Sequence, residues 1–446
     1  MKYETIAGAC VLAALLAMLI GFSRAQRRWH IHPEITRKSV HVSMGLVTLA
    51  FPWIFERPAP VIVLAAITMP ALILIRSVGS IKAHVGGALG SVEREGYGEI
   101  FFTLGVTLVF VLAREETLLY LIPVLILTFA DTLAALVGHF GGRLFFTTAE
   151  GRKTLEGSLA FLIVAVLCIA LPLHLFSQLS FDKVVMIALL LGLLIMLFEA
   201  ISWAGIDNLL IPLFAFLLLR HYVDMTAADI GLHLALLSLL VSALVLWQRY
   251  SSLRDEAVLT AMLYGYFAWA VGGTRWLAIA LIMMVSYPFL TPGRQQLGRR
   301  HGIQVTFHIA GSGALWLIAA QLWDTPALFY LYSLSFATHL ALICVARHKA
   351  ARPAKNTLWL GLGASVKAML VVFVPYAWFS HTTDAALLTT AFMQIVAVLL
   401  LFVAARPDLA NYERQIGAER WYWQSGMIFI SCCLGYFPYG YLVEGV

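Results

Sequence analysis

Apolar runs of helical length recur along the whole chain, separated by short polar loops. A helix of about 20 such residues crosses roughly 30 Å of hydrocarbon. Period-two alternation is absent, so helices are the spanning element. The pattern predicts about 16 spans, near 4–22, 41–55, 59–75, 99–113, 117–137, 156–176, 183–200, 207–219, 229–247, 256–271, 275–290, 303–322, 327–346, 357–379, 385–404 and 421–443. The expected fold is therefore all-α and polytopic. The first run lacks a basic segment before it and a small-residue cleavage site, and its basic cluster follows it. It reads as a first span, not as a leader.

Composition supports this class. Of 446 residues, 61% are apolar and 12% charged, with a mean hydropathy of +0.87. A soluble domain has about 45–50% and about 25%. The five cysteines lie in apolar runs without metal-ligand spacing, which argues against zinc and against a disulfide framework. The net charge of +6 could suggest nucleic acid, but its distribution points elsewhere. Of 30 Lys and Arg, 23 fall in alternate loops, beginning with the loop after the first span; six lie on the other side and Lys367 lies within a span. This bias predicts a multi-pass protein of the cytoplasmic membrane with a non-cytoplasmic N-terminus.

With that orientation, the unusual polar residues of the first half gather toward the cytoplasmic face. They are Arg37, Lys38 and His41 in "ITRKSVHVSMG", and Arg94 and Glu99 in "EREGYGEIFFTLG". Asp131 sits inside a span, followed by Gly138, Gly141, Gly142, Arg143, Arg152, Lys153, Glu156 and Ser158. Glu199, Asp207 and Asn208 close the series in "FEAISWAGIDNLLIP". An ionisable group within a span is a functional hypothesis by default. The acidic groups Glu99, Asp131, Glu199 and Asp207 suit Mg²⁺, which takes one or two carboxylates plus substrate phosphates. The basic groups suit phosphate, and the glycines would let backbone approach an anion. Together they suggest Mg²⁺-nucleotide chemistry on a membrane-embedded substrate.

These stretches resemble the membrane polyprenol kinases: dolichol, phytol and farnesol kinases and the CTP-dependent diacylglycerol kinase, distant relatives of the CDP-diglyceride synthases. The resemblance covers about residues 30–220 and is carried by "RKSVH", "GYGEIFFTLG", "FADTLAALVGHFGGR" with "KTLEGS", and "EAISWAGIDNLLIP". It implies phosphoryl transfer from a nucleoside triphosphate, usually CTP, to the hydroxyl of a membrane alcohol. In that reading Asp131, with Glu199 or Asp207, holds Mg²⁺. Lys153 and Arg143 neutralise the transferring group, Glu156 orients Lys153 or holds a metal ligand, and His41 or a carboxylate accepts the proton. Arg37, Lys38, Arg94, Gly138, Gly141, Gly142, Arg152 and Ser158 complete the phosphate-binding set. Cytidylyl transfer is the sister alternative, although the longer acidic-basic signature of that group is missing. An ion-coupled transporter is a third reading, weakened because the polar residues cluster toward one face rather than the midplane.

Shifting the chain on itself by about 206 residues suggests a diverged repeat. "LSFATHLALICVA" lies against "LTFADTLAALVGH" with five of thirteen identities, "RRHGIQVTFHIAG" against "EREGYGEIFFTLG", and "NTLWLG" against "KTLEGS". Thr338, Asn356 and Trp359 stand opposite Asp131, Lys153 and Glu156. The expected division is a kinase-like half, 1–225, and a second half, 226–446, without the catalytic residues.

Overall fold

The second helix begins earlier than its apolar run. His32 sits at its N-cap and its ring nitrogen accepts the Glu34 N–H, while Pro33 occupies the first helical position, where its missing donor costs nothing. The "RKSVH" stretch is thereby helical. The expected span at 41–55 instead crosses the end of that helix, a break at Ala50 and a short following helix.

The computed structural model describes residues 2–77, 97–113, 116–148, 151–202, 205–247, 255–291, 303–381, 384–405 and 419–441. It separates into two compact units, Met1–Ser238 and Leu239–Val446. In the first unit the elements are α1 (Lys2–Trp29), α2 (Pro33–Leu49), α3 (Phe51–Ile54), α4 (Pro58–Ser77), α5 (Gly98–Ala113) and α6 (Thr117–Leu125). A π-helical turn (Ile126–Ala130) leads into α7 (Asp131–Gly141). Then come strands β1 (Phe145–Thr148) and β2 (Gly151–Thr154), α8 (Leu155–Phe176), α9 (Phe181–Ile201), α10 (Asp207–Asp224) and α11 (Ala227–Trp247), whose last turns pass the boundary between units.

Among the described residues, seven helices are long and apolar enough to cross a membrane, and six shorter apolar helices accompany them. The chain is a multi-pass helical membrane protein by this measure. Its surface agrees: Leu159, Ile163, Leu167, Leu171 and Leu175, spaced one turn apart, are exposed along α8, as a lipid-facing stripe would be. The hairpin is the departure from an all-α expectation. β1 and β2 pair antiparallel with Phe146 opposite Lys153 and Thr147 opposite Arg152.

The core of the first unit forms where aromatic rings close over α6. Phe51, Phe110 and Tyr120 meet edge to face, and the Tyr120 hydroxyl donates to the Thr48 carbonyl at 2.7 Å. One sharp turn positions the start of α10. Gly205 has φ +79°, and a Cβ there would come within 2.7 Å of the Gly98 backbone. Asn208 then donates to the Gly98 carbonyl at 3.2 Å.

The second unit contains α12 (Asp255–Gly272), α13 (Thr274–Leu290), α14 (Ile303–Ala319), α15 (Ala327–Ala351) and α16 (Thr357–Ala368). A second π turn (Met369–Phe373), α17 (Val374–Ser380), α18 (Ala385–Ala405) and α19 (Glu419–Tyr439) follow. α15 is its central helix, buried on all sides through Arg347 and packed by α13, α14, α16, α18 and α19. Its buried His339 is satisfied: Ser312 Oγ lies 3.0 Å from one ring nitrogen and Gln424 Nε2 lies 3.3 Å from the other.

Candidate active site

A regular α-helix would have bonded the Asp131 N–H to the Leu127 carbonyl. In the π turn that N–H reaches five residues back, to Ile126. His41 of α2 then lies with Nε2 2.9 Å from the Leu127 oxygen and 3.3 Å from Asp131 Oδ2. Both partners are acceptors, so Nε2 carries a proton, and in the neutral ring the lone pair is on Nδ1. Single π turns inside helices recur at functional sites for this reason: they release a backbone group and re-aim a side chain.

Lys38, one turn before His41, completes the junction. Its Nζ donates to Asp131 Oδ2 at 2.7 Å and to the Asp131 carbonyl at 3.2 Å. Only 3% of the lysine side chain is exposed, so this is a buried ion pair. Gly45 permits the close approach of α2, because a Cβ there would collide with Thr128. Arg37, on the neighbouring turn, forks onto Glu34 at 3.0 and 2.6 Å. Burial pushes the Glu34 carboxyl up, but that fork outweighs burial and holds it below its ordinary range.

A second ion pair is delivered by the hairpin. Lys153 Nζ lies 2.8 Å from Glu199 Oε1 and also donates to the Glu199 carbonyl, at the end of α9. Strand alternation puts Arg152 on the opposite face, where its guanidinium stacks 4.4 Å from the Phe145 ring centre. Asp207, at the start of α10, is within electrostatic reach of Asp131, Glu199, Lys38 and Lys153. Arg37 in turn feels both Asp131 and Asp207. Five segments thus converge: α2, the π turn with α7, β2, the end of α9 and the start of α10.

Other candidate residues surround this cluster. Both Glu156 oxygens accept the Leu144 N–H, at 3.1 and 3.2 Å, closing the base of the hairpin. Thr154 caps α8 by accepting the Gly157 N–H at 3.1 Å. Gly138 and Gly142 lie one turn apart against this cap. A Cβ on Gly138 would stand 2.8 Å from Thr154 Oγ1, and one on Gly142 2.4 Å from Thr154 Cγ2. They let α7 and α8 touch backbone to backbone, the small-residue packing used between membrane helices. Gly141 faces open space. Arg143 is exposed near Glu156, and Ser158 is buried in the first turn of α8. Glu99 stands in the first turn of α5, next to the Gly98 that Asn208 holds, and joins neither ion pair described above. Arg94 lies outside the described residues. Among the described residues, no three His, Cys, Asp or Glu side chains form a ready metal-binding group.

No protein-family model matches the chain. No solved structure matches it either. Among curated proteins, it is 29% identical over 214 residues to a phytol kinase of Synechocystis sp., covering 47% of this chain and 84% of that protein. The chain is thus a distant homologue of a member of the polyprenol kinase family.

Proposed function

We propose that this chain is a lipid-alcohol kinase. It would transfer the terminal phosphoryl group of a nucleoside triphosphate, CTP in the first instance, to the hydroxyl of a membrane isoprenoid alcohol such as phytol, farnesol or dolichol. The observation that carries this is the convergence of Lys38–Asp131, Lys153–Glu199 and Asp207 from separate elements, in a distant homologue of phytol kinase.

The chemistry follows from those groups. Phosphoryl transfer asks a protein mainly to position reactants and neutralise charge. Arg37, Lys38 and Lys153 supply positive charge for a triphosphate. Asp131 and Asp207 are the carboxylates to hold Mg²⁺, with Glu199 and Glu99 nearby. Mg²⁺ takes one or two carboxylates and completes its shell with phosphates and water. Such an ion, when bound, would spread the charge of the phosphates. The alcohol oxygen attacks the terminal phosphorus and the bond to the leaving nucleoside diphosphate breaks. The alcohol proton passes to Nδ1 of His41, the nitrogen left with a lone pair. Because Leu127 and Asp131 hold the other nitrogen, the ring is fixed in the useful tautomer.

The membrane arrangement belongs to the same proposal. The lipid alcohol would keep its tail in the bilayer while its hydroxyl reaches a site on the cytoplasmic side, with the N-terminus opposite. The sixteen-span count and the two-repeat architecture are retained as proposals, with residues 226–446 as a non-catalytic copy. Thr338 supports that view: its hydroxyl bonds back to the Leu334 carbonyl at 2.7 Å in a regular helix, where Asp131 instead meets Lys38.

The test uses purified protein with CTP or ATP labelled either on the terminal phosphate or on the nucleoside, against a panel of lipid alcohols and lipid phosphates. Terminal phosphate appearing on the alcohol, abolished by a chelator and restored by Mg²⁺, is the expected result. Nucleoside label on a lipid phosphate would establish cytidylyl transfer instead.

A further inference from the structure

We infer that the rings of His32, His139 and Phe140 form the subsite for the base of the nucleoside triphosphate, at the end of α2 and α7 away from the ion pairs. This rests on the kinase reading for its ligand, but on separate residues for its geometry.

α2 and α7 run antiparallel, as their contacts show. His41 meets Leu127, Lys38 meets Asp131, and His32 meets His139 in reverse order along the two segments. The site therefore has levels. Deepest are Lys38, His41 and Asp131. Next along α2 come Arg37 and Glu34, with Arg37 still within electrostatic reach of Asp131. Last come the three rings. His139 follows Asp131 by eight residues, a displacement of about 12 Å along a helix. That suits a ribose and triphosphate stretched between a base at one end and the reacting phosphorus at the other.

The rings are built to receive a flat partner. The His32 and His139 centroids lie 4.9 Å apart at 51°, His139 and Phe140 4.7 Å apart at 88°, and His32 and Phe140 5.4 Å apart at 69°. None of these contacts is a face-to-face stack, so ring faces remain for a further aromatic. All three residues are exposed. The His32 ring is also oriented: Nδ1 accepts the Glu34 N–H at 3.2 Å, which leaves Nε2–H as a donor toward an acceptor on a base edge. Stacking on such rings tolerates any base, and hydrogen bonds at the edge add preference.

The experiment measures equilibrium binding of labelled CTP, ATP and inorganic tripolyphosphate to the purified full-length protein. His139→Ala with Phe140→Ala, and separately His32→Ala, should weaken nucleotide binding by about tenfold or more while leaving tripolyphosphate binding unchanged. His139→Trp, which keeps a stacking face, should retain nucleotide binding and guards against a variant that merely misfolds. Unchanged nucleotide affinity in the Ala variants, or an equal loss for tripolyphosphate, overturns the subsite. Phosphoryl transfer is read separately. Transfer by proteins whose nucleotide affinity ignores the rings would sink the subsite and keep the kinase. Ring-dependent binding without transfer to any lipid alcohol would do the reverse, and a wild-type protein that binds no nucleotide removes both.

Discussion

Lys38 and Asp131, 93 residues apart in sequence, form an ion pair of 2.7 Å in which the lysine is almost wholly shielded from solvent. Removing one partner of such a pair strands the other charge, at a cost of about 3–5 kcal/mol, whereas replacing both with apolar groups is often neutral. Asp131→Asn is therefore expected to abolish phosphoryl transfer and to lower thermal stability in detergent. The double variant Lys38→Met, Asp131→Leu should recover stability and remain inactive. A double variant with wild-type turnover would show that the pair is only structural.

Lys153 reaches Glu199 from the tip-to-base strand of the hairpin, so its charge is held in place before any substrate arrives. Lys153→Gln should reduce kcat by about 10²–10³, the usual loss for one preorganised donor aimed at developing charge. The KM for the lipid alcohol should change little. A variant impaired only in KM would move Lys153 from transition-state stabilisation to plain binding.

The glycines separate two roles that the sequence runs together. Gly142→Ala would drive a methyl into Thr154 and the Gly138 carbonyl, each 2.4 Å away, and should cost about 1–3 kcal/mol in thermal unfolding. Gly141→Ala meets nothing and should unfold like wild type. If Gly141→Ala nevertheless weakens nucleotide binding, its backbone lies against the nucleotide.

Glu156 acts on the hairpin base through the Leu144 N–H, not on Lys153 by contact. Glu156→Ala should lower kcat roughly tenfold, a smaller loss than Lys153→Gln, because the hairpin loosens but its lysine remains. Amide exchange at Leu144 should quicken in parallel, and Glu156→Gln, which keeps one acceptor, should fall between. Full activity with fast exchange would detach the clamp from the chemistry.

Much of the fold was legible because lipid solvent imposes a simple pattern. Apolar runs of one length mark helices, and lone charges such as Asp131 stand out against them. The limits are equally physical. The strands Phe145–Thr148 and Gly151–Thr154 are short and carry arginine, lysine and threonine, so a loop and a strand pair look alike in sequence. The start of α2 was hidden because hydropathy tracks the membrane, while helix ends are set by caps such as His32 and Pro33. The partners of Asp131 and Lys153 come from elements 93 and 46 residues away, a pairing that no local pattern encodes. The packing of Gly138 and Gly142 against Thr154, which closes α7 onto α8, is a contact between distant segments that the glycine spacing alone does not show.

The π turn also bears on how such a site is lost or regained. Helix Ala327–Ala351, which the proposed repeat sets opposite the Asp131 segment, runs without a bulge. A single codon change at Thr338 could restore a carboxylate there. It would not by itself restore the π turn that diverts the Asp131 amide to Ile126 and leaves the Leu127 oxygen for an imidazole. The two stretches align without a gap, so recovering that geometry takes a change in helix winding as well as a substitution. A duplicated half that had lost both would face a ratchet: decay in single steps, return only when side chain and backbone winding change together.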